Sequence, residues 1–515
     1  MRTQFPRIIV VVGLVLHLSC TNIQSTINRK EAATTPLDCA LYAAQITNRP
    51  EAIAKIAIRY AEAGDFKRAV NLIESIEERA AIEFLRGEFY FRRVYEHNVS
   101  SKITGFVKIA LLQAKAKYPD QALKSLERAV SLANLFEKDL GLTREAQLTQ
   151  VIAGFILIGK EERGFSIYYS LPDTPPNTDL LRRKTQILTA IAESLVKTGN
   201  ITRGLETLTQ AEDLLTQIHP PYVFSDGVIK VANIYSQLGM TAKAVSLIQD
   251  FAKIEKDGLE KYSDSSPWVL LEFAEKLAEL GKPQEGIKLA VSINASEAQA
   301  LTIANIAKLL AKSKKYDLAL DLLKKIPTDE VKYQDSAQEE IAKLFLDEGN
   351  FDKAFEIMHE SKNINSQAVI ASYAAQKYSE LGNLVKAREV AISTFELGME
   401  KLNEKAFVAC AVQNLLLTDK NLIMQKIKER GTIRGTGFEL CEIAEKLAET
   451  NQDMIAIEVL KFIHVEDYID DAGPITIRDY RSSAIEKITL RYYDTKRPDD
   501  ANLQAILAEF VKLLD

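Results

Sequence analysis

Apolar residues in this chain recur three and four positions apart, in paired stretches separated by a Gly or a short polar turn. That spacing puts them on one face of an α-helix, so each pair reads as a helical hairpin. Ala342 to Met358 shows the pattern most plainly. Ala342 and Phe345 share a face of the first helix, Gly349 makes the turn, and Ala354 falls in the first turns of the second helix. Helices cross closely only where side chains are small. An Ala from each helix fits such a crossing, and larger apolar residues fill its flanks.

A small residue five positions after a turn recurs down the chain. The turns are Gly64, Lys117, Gly159, Gly199, Gly239, Gly281, Lys314, Gly349, Gly382, Thr418 and Asn451. The residues five on are Ala69, Ala122, Gly164, Gly204, Ala244, Gly286, Ala319, Ala354, Ala387, Ile423 and Ala456. The position seven before each turn is Ala in ten of the eleven units, with Ile152 the exception. Four before the turn stands Tyr, Phe or Leu, broken only by Gln113 and Asn414. Chance Ala content does not produce this agreement, so the repeat is an architectural signal.

The segments Gly64-Asp65-Phe66-Lys67-Arg68-Ala69 and Gly349-Asn350-Phe351-Asp352-Lys353-Ala354 resemble the turn and second-helix start of tetratricopeptide (TPR) repeats. The Ala and aromatic positions of the first helix fit as well, over about 400 residues. The Pro that usually closes such a unit is missing from most of them. The resemblance implies an all-α, right-handed α-solenoid of about 11–12 TPR-like helical hairpins, each packing on its neighbours.

Spacing divides the array. The turns from Lys117 to Gly281 lie 40–42 residues apart, and those from Gly281 to Asn451 lie 33–36 apart. The expected domains are an N-terminal array over 37–281, with an extra helix at 79–96, and a C-terminal array over 282–461. Capping helices follow over 462–515, within which 475–493 and 499–514 form a last hairpin.

Residues 1–19 read differently. Arg2 and Arg7 precede an apolar run from Ile8 to Leu18, too short to span a bilayer but suited to a signal peptide. His17-Leu18-Ser19-Cys20 resembles a bacterial lipoprotein box, with His17 where Leu is usual; that resemblance implies lipidation at Cys20. Ordinary cleavage nearby or an uncleaved anchor are the alternatives. Residues 20–36 are polar and read as a flexible tether. The expected location is therefore outside the cytoplasm, in the periplasm or on the outer membrane of a bacterium, or secreted. The membrane would be met only through the N-terminal lipid.

Loss of residues 1–19 removes two Arg and no acids, so the formal charge falls from −6 to −8. An acidic chain without a basic block argues against nucleic acid as the main partner. The cysteines, Cys20, Cys39, Cys410 and Cys441, are too few and too far apart for a disulfide framework. Cys410 and Cys441 lie in successive first helices, where each reads as a small buried hydrophobe or, in an oxidising compartment, as half of a pair.

No reactive motif stands out. No two His share metal-binding helical spacing, and neither HExxH, a Walker loop nor G-x-S-x-G occurs. Gly435-Thr436-Gly437 is half a dinucleotide fingerprint with no strand before it. Glu466, Asp467, Asp470 and Asp471 follow no EF-hand order. Neither an enzyme nor a bound cofactor or metal is expected.

What remains is a face. In TPR arrays the first helices line the concave side. The position six before the turn is polar in seven units, as Glu193, Asn233, Glu275, Lys308, Lys343, Gln376 and Glu445. Lying one residue from the buried Ala, it points off the packing surface. The resemblance implies that this row lines a groove for a protein or peptide; taken singly, each is equally a solvated helix position. Charges of both signs alternate along it. The chaperone-tail clamp of the family needs Lys and Asn at set places, and Ile229, Glu272 and Leu301 around Asn233 do not supply them. Trp268 starts a first helix on the same side, as an anchor if exposed and a packed residue otherwise. The expected function is a noncatalytic interaction scaffold of the cell envelope. An envelope enzyme or carbohydrate-binding factor with a site between repeats, and a self-assembling structural protein, are the alternatives.

Overall fold

The computed structural model describes residues 27–47, 49–77, 88–137, 144–171, 178–218, 225–259, 267–292, 296–396, 402–418, 420–431, 436–463, 468–470, 473–475, 477–497 and 501–514. The signal segment 1–19, Cys20, residues 79–87 of the extra helix, and Glu466, Asp467 and Asp471 lie outside them.

The chain is an α-helical repeat of TPR-like hairpins. Ten of the eleven turn residues have a positive φ, from Gly64 through Lys117, Lys314 and Asn451. Each ends its first helix in a left-handed residue. At Gly349, the turn N–H donates to the Leu346 carbonyl (3.0 Å) and the next N–H, of Asn350, donates to Phe345 (2.8 Å). This is the Schellman pattern, in which the residue four before the turn packs against the residue after it. Separately, Phe351, two after the turn, stacks on the following hairpin's Tyr378, with ring centroids 4.0 Å apart. Asn350 then caps the second helix on the Lys353 N–H. One residue thus closes one helix and opens the next.

Thr418 departs from the rule. Its φ is −127° and its N–H donates to Asn414, four residues back, so no left-handed turn forms. A polar residue four before the turn does not by itself cause this, because Gln113 stands four before the left-handed Lys117. Asn414 is buried and bonds Thr394 Oγ1 (3.1 Å) and the Cys410 carbonyl (3.0 Å), a network in place of an apolar contact.

The crossings fall where the small residues predict. The ten alanines seven before the turns, and Ile152, are fully buried, as are the alanines five after them. A Cβ built on Gly286 would lie 2.3 Å from the Ala274 carbonyl oxygen, and one on Gly204 would lie 3.3 Å from that of Ala192. The residue five after the turn therefore rests on the backbone of the residue seven before it.

The chain divides into two compact units. The first holds residues 1–147, 452–461 and 466–515; the second holds 148–451 and 462–465. The spacing change at 282–300 lies inside the second unit. In the second unit the first helices stack in chain order: Thr178–Lys197, Ser225–Gln237, Pro267–Glu279, Ser296–Lys312, Val331–Asp347, Ile364–Glu380, Glu404–Leu417 and Gly437–Glu449.

The first unit is built from both ends of the chain. Helices Ile477–Asp494 and Ala501–Leu514 pack on Pro36–Ile46 rather than ending a stack as a solvated cap. Arg49 meets the buried Glu486 at 2.6 Å and Arg59 meets Asp494 at 3.0 Å. Residues 27–36 are likewise held and not a tether. Asn28 caps the short helix Arg29–Ala32, and the Ile27 N–H donates to Gln45. The 88–96 half of the extra helix continues into one helix, Glu88–Lys115, because no turn residue interrupts it. Two short antiparallel strands, Tyr468–Asp470 and Gly473–Ile475, are a β element that the helical pattern did not predict.

Repeated side-chain clusters tie neighbours together. Tyr60 donates to Asp38 at 2.6 Å while Arg68 lies 4.1 Å above its ring. Tyr235, Glu212 and Lys243 repeat the arrangement, with the cation 4.3 Å from the ring centroid. Tyr492, Asp453 and Arg497 repeat it again, four residues before Lys496, whose φ is +53°. Lys496 is thus a further left-handed turn, with Tyr492 four before it and Ala501 five after it.

Candidate functional site

With the alanine seven before each turn held against its own second helix, positions six, nine, ten and thirteen before the turn share another side of the first helix. Four successive first helices, from Val331–Asp347 to Gly437–Glu449, bring these positions around one cleft of about 300 Å³. Val369, Val408 and Val412 give it apolar surface. Lys343, Lys405, Lys446, Tyr373, Gln376, Gln413 and Glu442 supply polar groups. Ser372, almost wholly buried, also lines it.

Glu339 organises the charge. This buried carboxylate accepts from Lys343 Nζ at 2.8 Å on its own helix and from Lys405 Nζ at 2.6 Å. Lys405 belongs to the first helix two hairpins on, so the ion pair spans the hairpin that carries Ser372. Burial alone would lower the Lys343 ammonium, yet the bonds and charges of Glu339 and Glu340 hold it above its ordinary pKa. Lys446 lies 3.7 Å from Glu442 on the far wall. Tyr373 donates to Asp347 at 2.7 Å, and Lys377 joins the same carboxylate at 2.9 Å.

The structure brings Lys343 and Gln376 of the expected row into this cleft and leaves the others elsewhere. Glu275 and Lys308 occupy the two preceding first helices. Glu275 accepts from Asn305 at 2.8 Å across the hairpins, and burial pushes its carboxyl up. Glu193 pairs with Lys197 on its own helix at 2.6 Å. Asn233 is half-buried, as is Glu445, whose neighbour Lys446 is the one that lines the cleft. Trp268 is 46% exposed at the start of Pro267–Glu279 and stands outside the cleft.

Reading one position per helix missed Lys405, Tyr373, Ser372 and Glu339. They stand thirteen, nine, ten and ten before their turns, so a stripe at helical spacing would have found them. Cys410 and Cys441 are both buried, and burial pushes the Cys410 thiol up to about 11. Among the described residues no group of three His, Cys, Asp or Glu converges as a metal site, and no helix is long and apolar enough to cross a membrane.

A second cleft, of about 520 Å³, opens in the first unit between the Gly64 and Lys117 hairpins. Phe66, Phe106 and Tyr118 line it, and Arg128 and Glu74 close its edge with two bonds at 2.9 and 3.0 Å. Its one buried polar pair, Ser125 donating to Gln113, is already satisfied.

No protein-family model and no curated protein matches the chain. Solved structures similar to it include several distant ones. A structure of Naa15/Naa10 bound to HypK-THB is 14% identical, covering 95% of this chain and 79% of that one at a TM-score of 0.32. The Cut9-Hcn1 hetero-tetramer of the APC/C is 10% identical, covering 90% and 96% at 0.22. A monomeric IFIT1 variant with Gppp-AAAA is 13% identical, covering 92% and 95% at 0.20. At such TM-scores no function transfers from any of them.

Proposed function

We propose that the chain is a noncatalytic scaffold that binds an extended segment of a partner protein across the first helices of its second unit. It works in the cell envelope, exported by residues 1–19 and tethered through Cys20. The observation that carries this reading is the cleft shared by four successive hairpins, with apolar surface for alternate side chains and polar groups around it. Partner segments bound this way gain affinity from buried apolar anchors and specificity from the surrounding polar groups.

The test is quantitative affinity capture with the full chain, comparing wild type with Val412→Arg and with charge reversal at Lys308 and Lys343. Val412→Arg fills the cleft with a charged side chain, so captured partner should fall at least about tenfold. Unchanged capture by both variants, or recovery of single-stranded RNA in place of protein, contradicts the proposal. For the tether, mass spectrometry of the mature protein should find an acylated N-terminus at Cys20 that Cys20→Ala abolishes. An unmodified terminus at another residue contradicts it.

A further inference from the structure

We propose that helix Leu384–Glu396, the second helix of the Gly382 hairpin, is a self-association surface that pairs two copies of this chain about a two-fold axis. From Leu384 to Thr394, only Ala387, Ala391 and Thr394 are buried. Spaced four and three apart, they form one edge of the helix. The opposite edge carries Val385, Glu389 and Ile392, again four and three apart. Val385 is 76% exposed and Ile392 48%, with Leu384 beside them at 49%.

The two preceding second helices use these positions differently. Val385 and Ile392 stand three and ten after their turn. The same places hold Asp352 and His359 in the Gly349 hairpin, and Asp317 and Lys324 in the Lys314 hairpin, all exposed. Those hairpins also pair their charges locally, Lys353 with Glu356 at 2.6 Å and Lys324 with Asp321 at 2.7 Å. Among the described residues, Arg388 and Glu389 have no ion-pair partner. Adjacent on a helix, they point apart and cannot pair with each other. Exposed apolar residues clustered around unpaired charges mark an interaction surface.

The order of residues selects a second copy as the occupant. In an antiparallel pair, setting Val385 of one copy on Ile392 of the other fixes the axis between residues 388 and 389. The same register sets Arg388 of each copy on Glu389 of the other. One arrangement thus covers both apolar residues and pairs both charges, twice over. A parallel pair would oppose Arg388 to Arg388. A two-fold contact closes on itself, so assembly stops at the dimer. The helix has 13 residues and is about 20 Å long. So small an interface gives a weak dimer, with a dissociation constant of about 10–50 µM.

Sedimentation velocity of the full chain from about 1 to 200 µM tests this. The wild type should pass reversibly from monomer to dimer. Val385→Lys combined with Ile392→Lys should stay monomeric throughout and melt no lower, because both side chains are exposed. Arg388→Glu and Glu389→Arg should each weaken the dimer about tenfold by opposing like charges. Combined, the two should restore it to within about threefold of wild type.

A wild type that remains monomeric at about 200 µM overturns the proposal. So does a dimer that survives the two lysines, a species larger than a dimer, or a double charge swap no tighter than either single one.

Discussion

Gly286 occupies a point where even one added carbon collides with backbone, because its Cβ would sit 2.3 Å from the Ala274 carbonyl. Gly286→Ala should cost about 1–3 kcal/mol, the usual range for overpacking. Gly204→Ala, whose closest meeting is with the flexible end of Val196 at 2.9 Å, should cost less. Urea unfolding of the two variants side by side checks the order. Glu255 offers a pH test. It is buried, its Oε1 has no partner, and burial pushes its pKa up to about 7. The folded state therefore holds this proton more tightly than the unfolded state, and stability falls as pH rises from about 4.5 through 7. Glu255→Gln should flatten that fall in melting temperature between pH 5 and 8; an unchanged slope would show that Glu255 is solvated. The alanine crossings were legible in the sequence because smallness is a property of one residue. Glu339 was not, because what matters about it is which partners it meets. Lys405, which reaches Glu339, is 66 residues away.

At the scale of the hairpin, the turn fixes everything that follows. The left-handed residue sets the two closing hydrogen bonds, the cap after it starts the second helix, and the fifth residue then falls on the crossing. Lys314 holds a φ of +61° with a side chain that disfavours it. Lys314→Gly should therefore raise the unfolding free energy by about 0.5–1 kcal/mol, whereas the same change at Thr418 (φ −127°) should lower it. Chemical denaturation resolves both. Gly and Asn made most turns visible in the sequence. Lys496 was missed although Tyr492 stands four before it and Ala501 five after it, with Thr489 in place of the alanine seven before; Thr418 was accepted because spacing says nothing of φ.

At the scale of the molecule, the chain's two ends belong to one unit, a fact that helical periodicity does not encode. Pairing of distant segments depends on surfaces such as Pro36–Ile46, whose Cys39 is fully buried. Burial and the charge of Asp38 both push that thiol up, so it is unreactive in the folded protein. Deleting 501–514 should open the first unit and make Cys39 reactive towards iodoacetamide, while Cys410, in the second unit, stays protected. Peptide mass spectrometry after brief labelling reads both. Equal protection of Cys39 with and without the last helix would show that the terminal packing holds nothing in place.

The function is tested most directly by photo-crosslinking from single positions of the full chain in the cell. A photoreactive residue at Gln376 or Gln413, in the cleft, should crosslink one common protein partner, and Val412→Arg should abolish both adducts. The same probe at Lys353, on a second helix, should give none. Crosslinks from Lys353 alone, or adducts at Gln376 and Gln413 that persist in Val412→Arg, would contradict binding across the first helices.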